Sequence, residues 1–188
     1  MRIRRTLTIL LVAGLLAVAG VGYTKVMARL GANAPPPPAP LGEQADSILV
    51  SKAERRMVLL REGRELASYP IVMGANWDRG HKLREGDERT PEGTYVIDWR
   101  NSGSVAHLSL HISYPNAEDR ARAKAAGADP GGNIMIHGLP NGWGALGSLH
   151  LLHDWTNGCI GVSNDQMDEI WSRVPNGTPI TIAPLPAP

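Results

Sequence analysis

The chain contains no phenylalanine, and aromatic residues make up only 5% of its 188 positions. Five tryptophans and four tyrosines carry the aromatic packing. A single cysteine, Cys159, excludes an intrachain disulfide framework and a multi-cysteine zinc site. Acidic residues are missing from the first 40 positions, where Arg2, Arg4, Arg5, Lys25 and Arg29 are the only charges. Residues 41–188 hold 14 basic against 18 acidic side chains, and a mildly acidic body binds a phosphate backbone poorly. Nucleic acid is therefore not expected as a partner. With 43% apolar and 20% charged residues, the composition is globular. Glycine and proline together number 36 without a triplet period, which excludes collagen and favours a turn-rich, strand-rich domain.

The basic start is followed by residues 6–22, seventeen positions without a charge. That is long for the apolar part of a signal peptide and short for a comfortable membrane span. Either way the positive end stays in the cytoplasm and the remainder of the chain is exported. Residues 1–30 are read as a signal peptide or membrane anchor, with small-x-small cleavage candidates at Ala17-Val18-Ala19 and Ala32-Asn33-Ala34. The expected location is the periplasm or cell envelope, with membrane contact only through this segment. Residues 31–45 form a Pro-rich linker in which Pro35 to Pro38 favour a stiff polyproline II spacer, expected to hold the domain off a membrane. The folded domain is placed at residues 46–183 and an irregular tail at 184–188.

Within the domain, apolar runs at 47–51, 56–61 and 65–73 read as strands, the last two joined by a turn at Glu62-Gly63-Arg64. A polar loop spans 74–92. Further strands are expected at 93–99, with Tyr95, Ile97 and Trp99 on one face, and at 107–112, 133–137, 159–162 and 178–183. Residues 117–126 read as a surface or lid helix with acids in its first turn and Gly127 as its stop. Ser163 and Gln166 form a capping box. Met167, Ile170, Trp171 and Val174 then make the apolar stripe of another helix.

The cysteine sits in Thr156-Asn157-Gly158-Cys159-Ile160-Gly161. The glycines permit a tight backbone whose amides, Gly158 among them, can converge on developing negative charge, as an oxyanion hole requires. A thiol is a weak nucleophile until a base removes its proton. His137, at the end of the apolar strand Ile134-Met135-Ile136 and before Gly138, is the best candidate base. The carbonyl of Gly138 can orient its ring without another side chain. The bland alternative for each is a small buried hydrophobe or a satisfied structural histidine. His150, His153 and Cys159 form a His-x-x-His-x5-Cys cluster, but it lacks an established zinc spacing, and no metal or cofactor is expected. His153 is assigned to substrate positioning or a hydrogen bond near the thiol, and His150 is expected to be an exposed loop residue.

The segments Ile134-Met135-Ile136-His137-Gly138 and Thr156-Asn157-Gly158-Cys159-Ile160 resemble the L,D-transpeptidase catalytic domain, the YkuD-like family. So do residues 80–95, with Thr90-Pro91-Glu92-Gly93, and residues 108–116. The resemblance implies a mainly β, sandwich-like domain with two or three short helices. It also implies attack by Cys159 on a peptidoglycan stem peptide, with His137 as proton acceptor and donor and a thioester intermediate. An amine acceptor would make the enzyme a transpeptidase that forms or exchanges cross-links. Water would make it a carboxypeptidase- or amidase-type hydrolase, and a non-catalytic wall-binding module is the third reading. The family's usual Ser/Thr-His-Gly-Cys has Asn157 in place of its histidine, and 22 residues separate His137 from Cys159. Both departures resemble a branch that includes cell-wall proteins with hydrolytic roles. Asn157, Trp155 and His153 are the expected substrate contacts, and Arg89, in the 74–92 loop, is expected to meet stem carboxylates.

Overall fold

The computed structural model describes residues 2–30 and 34–185, with side chains from residue 5 onward. The Ala32-Asn33-Ala34 cleavage candidate and the last three residues of the tail lie wholly or mostly outside the described residues. The strands are β1 (Ser47–Ser51), β2 (Arg56–Arg61), β3 (Arg64–Pro70), β4 (Gly93–Asn101), β5 (Ser109–Ile112), β6 (Met135–His137), β7 (Ile160–Gly161) and β8 (Pro179–Ala183). The helices are α1 (Arg2–Leu30), α2 (Ala117–Ala125) and α3 (Asn164–Arg173), with short 3-10 segments at Leu41–Glu43, Trp77–Arg79 and Gly144–Leu152.

The strands join in the order β3-β2-β1-β8-β4-β5-β6-β7. Among the named strands, β1–β8 and β6–β7 pair in parallel and the others antiparallel. The sheet curls until its two ends meet. Val72, just beyond β3, exchanges backbone hydrogen bonds of 3.0 and 2.8 Å with Gly161 of β7. Each edge thus covers the other, and the inner faces share one core. The β2–β3 turn has positive φ at both Glu62 and Gly63, the geometry that matches the twist of a hairpin. The architecture is mainly β and sandwich-like, as the family resemblance implies, with a long apolar helix in front.

Two local departures have physical causes. Tyr95 and Ile97 of β4 are buried, but Trp99 is half exposed. A bulge between Ile97 and Arg100 shifts the register, so Trp99 leaves the inner face and stacks on His111 at 4.8 Å. The helix α2 is held by a polar anchor rather than apolar packing. Asp119 is buried, accepts from the Tyr95 hydroxyl at 3.1 Å and from the backbone of Asn116, and lies 3.0 Å from His81 Nε2. The helix α3 carries the expected Ser163–Gln166 capping box and buries Met167, Ile170 and Trp171.

The 74–92 loop is fastened to the sheet. The buried Lys52 ammonium after β1 donates to Gly80 O and Thr90 O and pairs with Glu92 at 2.6 Å. Gly74 is required where the loop crosses itself, since a Cβ there would lie 2.1 Å from Glu88 O.

The Pro-rich segment does not span a gap. Ala39 N–H donates to Ser172 O and Ala45 N–H to Arg173 O, both at 2.8 Å, which straps the segment along the end of α3. The last turns of α1 rest on the domain directly. Gly20, Thr24, Met27 and Ala28 form a partly covered stripe at helical spacing, whereas residues 5–19 are exposed.

Candidate active site

The sulfur and the imidazole identified in the sequence are brought together by a pair of very short strands. Ile136 pairs with Ile160 and His137 with Gly161, so Cys159, one residue before β7, lies beside Met135 of β6. Met135 N–H donates to Cys159 Sγ at 3.4 Å, and the thiol faces Asn133 O at 3.6 Å. Residues 135 and 137 share a face of β6, so the imidazole is the diagonal neighbour of the thiol. Both line one groove of about 510 Å³, with Ser104, Ser109, Trp155, Thr156 and Asn157 on its walls.

The His137 ring is fixed from two sides. Its Nδ1 lies 2.7 Å from Gly138 O, which accepts the ring N–H and leaves Nε2 as the basic nitrogen. The Trp155 ring packs edge-on against it at 5.6 Å. Gly138 stands here because a Cβ would come within 2.8 Å of both Asn164 Oδ1 and His107 Cβ.

Burial sets the resting protonation. It lowers the pKa of His137, against the Gly138 hydrogen bond and with a further push from nearby His150. Burial also raises that of the Cys159 thiol, against the Met135 amide and the charge of Lys82. Both shifts favour a neutral thiol beside a neutral imidazole. In such a pair the base takes up the proton as the sulfur attacks.

The turn before Cys159 is tightly built. Gly158 has φ +109°, and a Cβ on it would meet Arg89 O at 2.5 Å. Thr156 Oγ1 donates to Cys159 O at 2.7 Å and receives the Gly158 N–H at 3.3 Å. The Gly158 amide is thus turned inward, toward Thr156, in the resting structure.

The remaining expected contacts divide. Trp155 and Asn157 line the groove, and Asn157 also borders a neighbouring cavity with Lys82 and Asn133. Arg89 does not line the groove: its backbone crosses under Gly158 while its side chain lines a separate cavity with Arg79 and Arg84. His153 is exposed on an adjoining apolar cavity behind Trp155. His150, expected to be exposed, is buried, with its ring edge-on to Trp155 at 6.5 Å. The 3-10 segment around it turns the ring inward. Among the described residues, no three His, Cys, Asp or Glu side chains are grouped as a metal site would need.

Sequence reasoning missed Asp154. Its carboxylate takes both Nη atoms of Arg55 at 2.6 and 2.8 Å, the Trp77 Nε1–H at 2.8 Å and the Met73 N–H at 2.9 Å. That hub fixes the backbone entering Trp155. Its four donors come from residues 55–77, and no local spacing announces them.

The fold is shared with solved structures. The chain is similar to Bdellovibrio bacteriovorus Bd1075, with 24% identity and a TM-score of 0.51, over 78% of this chain and 50% of that one. It is also similar to the helical cell shape determining protein Pgp2 from Campylobacter jejuni, with 23% identity and a TM-score of 0.51, over 76% and 52% of the two chains. It thus spans about half the length of these structures, and the likeness establishes a shared fold. No curated protein sequence matches the chain. The profile of the L,D-transpeptidase catalytic domain, YkuD, matches residues 45–182, from the strapped linker into β8. Because that match takes in every strand of the sheet and most of the chain, the protein belongs to the L,D-transpeptidase catalytic-domain family.

Proposed function

We propose that this protein is a peptidoglycan-modifying acyltransferase of the cell envelope. Cys159 serves as nucleophile and His137 as proton acceptor and donor, and α1 is retained as a membrane anchor. The observation that carries the reading is the β6–β7 register, which sets the two side chains on one face of one groove. Cys159 Sγ attacks an amide carbonyl of a stem peptide while His137 Nε2 takes the thiol proton. The amides of the 157–159 turn receive the oxyanion, the Gly158 N–H exchanging its 3.3 Å bond to Thr156 for it. Collapse breaks the C–N bond, His137 protonates the leaving amine, and a thioester remains. An acceptor amine from a second stem then attacks, returns its proton through His137 and frees the thiol. Trp155 and Asn157 hold the peptide along the groove.

The test is incubation of the full chain in detergent with purified muropeptides, read by mass spectrometry. Cross-linked or exchanged stems support the transferase, and shortened stems alone would assign the site to a hydrolase. Substitution of Cys159 by alanine should abolish either product while substrate binding persists. Undiminished turnover in that variant would remove the cysteine mechanism.

A further inference from the structure

The apolar helix and the groove are not independent. The hydroxyl of Tyr23 donates to Gly142 O at 3.0 Å, and Trp143 Nε1–H donates to Thr24 Oγ1 at 3.0 Å. The two aromatic rings meet edge-on at 5.7 Å. At Gly142, with φ +87°, a Cβ would meet Met27 Cγ at 2.7 Å, so the backbone approaches α1 as closely as glycine permits.

The length of α1 fixes where this contact falls. The uncharged residues 6–22 continue through Tyr23 and Thr24, so a run of nineteen residues separates Arg5 from Lys25. At ~1.5 Å per residue it spans ~28 Å, about the thickness of a hydrocarbon core. With Arg2 to Arg5 at the inner surface, Thr24 sits at the outer boundary and Gly20 lies one turn inside it. The domain therefore touches α1 where lipid begins. Tyr23 and Trp143 are the residue types that favour that level.

The domain surface at this level is apolar. Residues 138–153 contain no Asp, Glu, Lys or Arg, in a chain with 20% charged residues. Leu146, Leu149 and Leu152 of the Gly144–Leu152 segment are 40%, 62% and 84% exposed. All three line one cavity with Thr24, Pro140 and Trp143. After the bend at Gly147, Leu149 and Leu152 are three residues apart, which aligns them along one edge of a 3-10 turn. Thr24 borders this cavity and the catalytic groove, whereas Ala28, one turn farther from the membrane, borders the groove and not this cavity. The leucine edge thus lies on the lipid side of the groove.

We propose that Leu146, Leu149 and Leu152 insert into the outer leaflet beside α1 and hold the catalytic groove with its mouth close to the membrane surface. The site then draws on stem peptides near the membrane, not on those in remote layers of the wall. The proposal rests on the reading of α1 as a retained anchor. The test uses the full chain with Cys159→Ala, reconstituted in phosphatidylcholine–phosphatidylglycerol nanodiscs that carry doxyl quenchers both near the acyl carbonyl and near the acyl-chain end. A single environment-sensitive fluorophore is attached through Leu149→Cys, Leu152→Cys, Leu15→Cys or Arg64→Cys. Loss of most emission at 149 and 152, as at 15 within the helix, with none at 64 on the β2–β3 hairpin, supports insertion. Quenching at 15 alone overturns the leucine contact and leaves the anchor standing. No quenching at 15 overturns the anchor and the contact with it.

Discussion

Cys159 and Gly138 show how one position can set the chemistry of a site. Burial holds the Cys159 thiol above its ordinary pKa and the His137 imidazole below its own, so the resting pair is neutral. Alkylation of Cys159 by iodoacetamide should therefore rise with pH along a curve displaced to the alkaline side of free cysteine. A midpoint on the acid side would mean a resting thiolate–imidazolium pair instead. Gly138 has no room for a methyl group between Asn164 and His107. Gly138→Ala should cost about 1–3 kcal/mol in urea unfolding, by overpacking, and should slow turnover by displacing the His137 ring. An unchanged unfolding midpoint would show that the strand end absorbs the methyl group. The sequence points to Cys159 and His137, because a lone thiol and a strand-end histidine stand out by residue type. The crowding at Gly138 comes from Asn164 and His107, 26 and 31 residues away, and has no local sign.

The short strands explain why some elements are legible and others are not. All eight strands are expected from apolar runs, alternation and turn residues, and α3 from its capping box and apolar stripe, because those signals act within one segment. The Gly144–Leu152 turns are not expected, since no helical stripe marks them. His150 is consequently misassigned to the surface. Trp99 does not keep the face of Tyr95 and Ile97 that alternation gives it, because a bulge leaves no trace in simple alternation. The Asp154 hub joins residues 77 to 99 positions apart, which places it beyond local reading. Asp154→Ala should lower stability by about 2–3 kcal/mol. It leaves a partly exposed arginine unpaired and two N–H donors without an acceptor. Asp154→Asn, which keeps one acceptor oxygen, should recover part of that loss in the same chemical denaturation series. Equal stability of all three proteins would show that the hub contributes nothing to the fold.

Taken together, the buried histidines make the fold sensitive to acid. Burial lowers the pKa of His81, His137 and His150 below the ordinary 6.5. Above that value both folded and unfolded chains hold these rings neutral, and pH has no leverage through them. Below it the unfolded chain takes up protons that the folded chain refuses. Stability then falls by up to about 1.4 kcal/mol per pH unit for each ring, until the folded-state values are reached. Thermal unfolding between pH 7.5 and 5 should show the midpoint descending from near 6.5 downward, and a flat profile would remove this coupling. From residues alone one can read the apolar N-terminal run, the strands, the capped helix and the candidate nucleophile and base, since charge, periodicity and functional groups belong to short stretches of chain. Folding in three dimensions decided the rest. It closed β3 onto β7, put Cys159 diagonal to His137 across β6 and β7, moved Arg89 to a neighbouring cavity and seated α1 against Gly142 and Trp143. Each of these joins segments tens of residues apart, and such pairings are selected by the burial of a common core, which no single segment encodes.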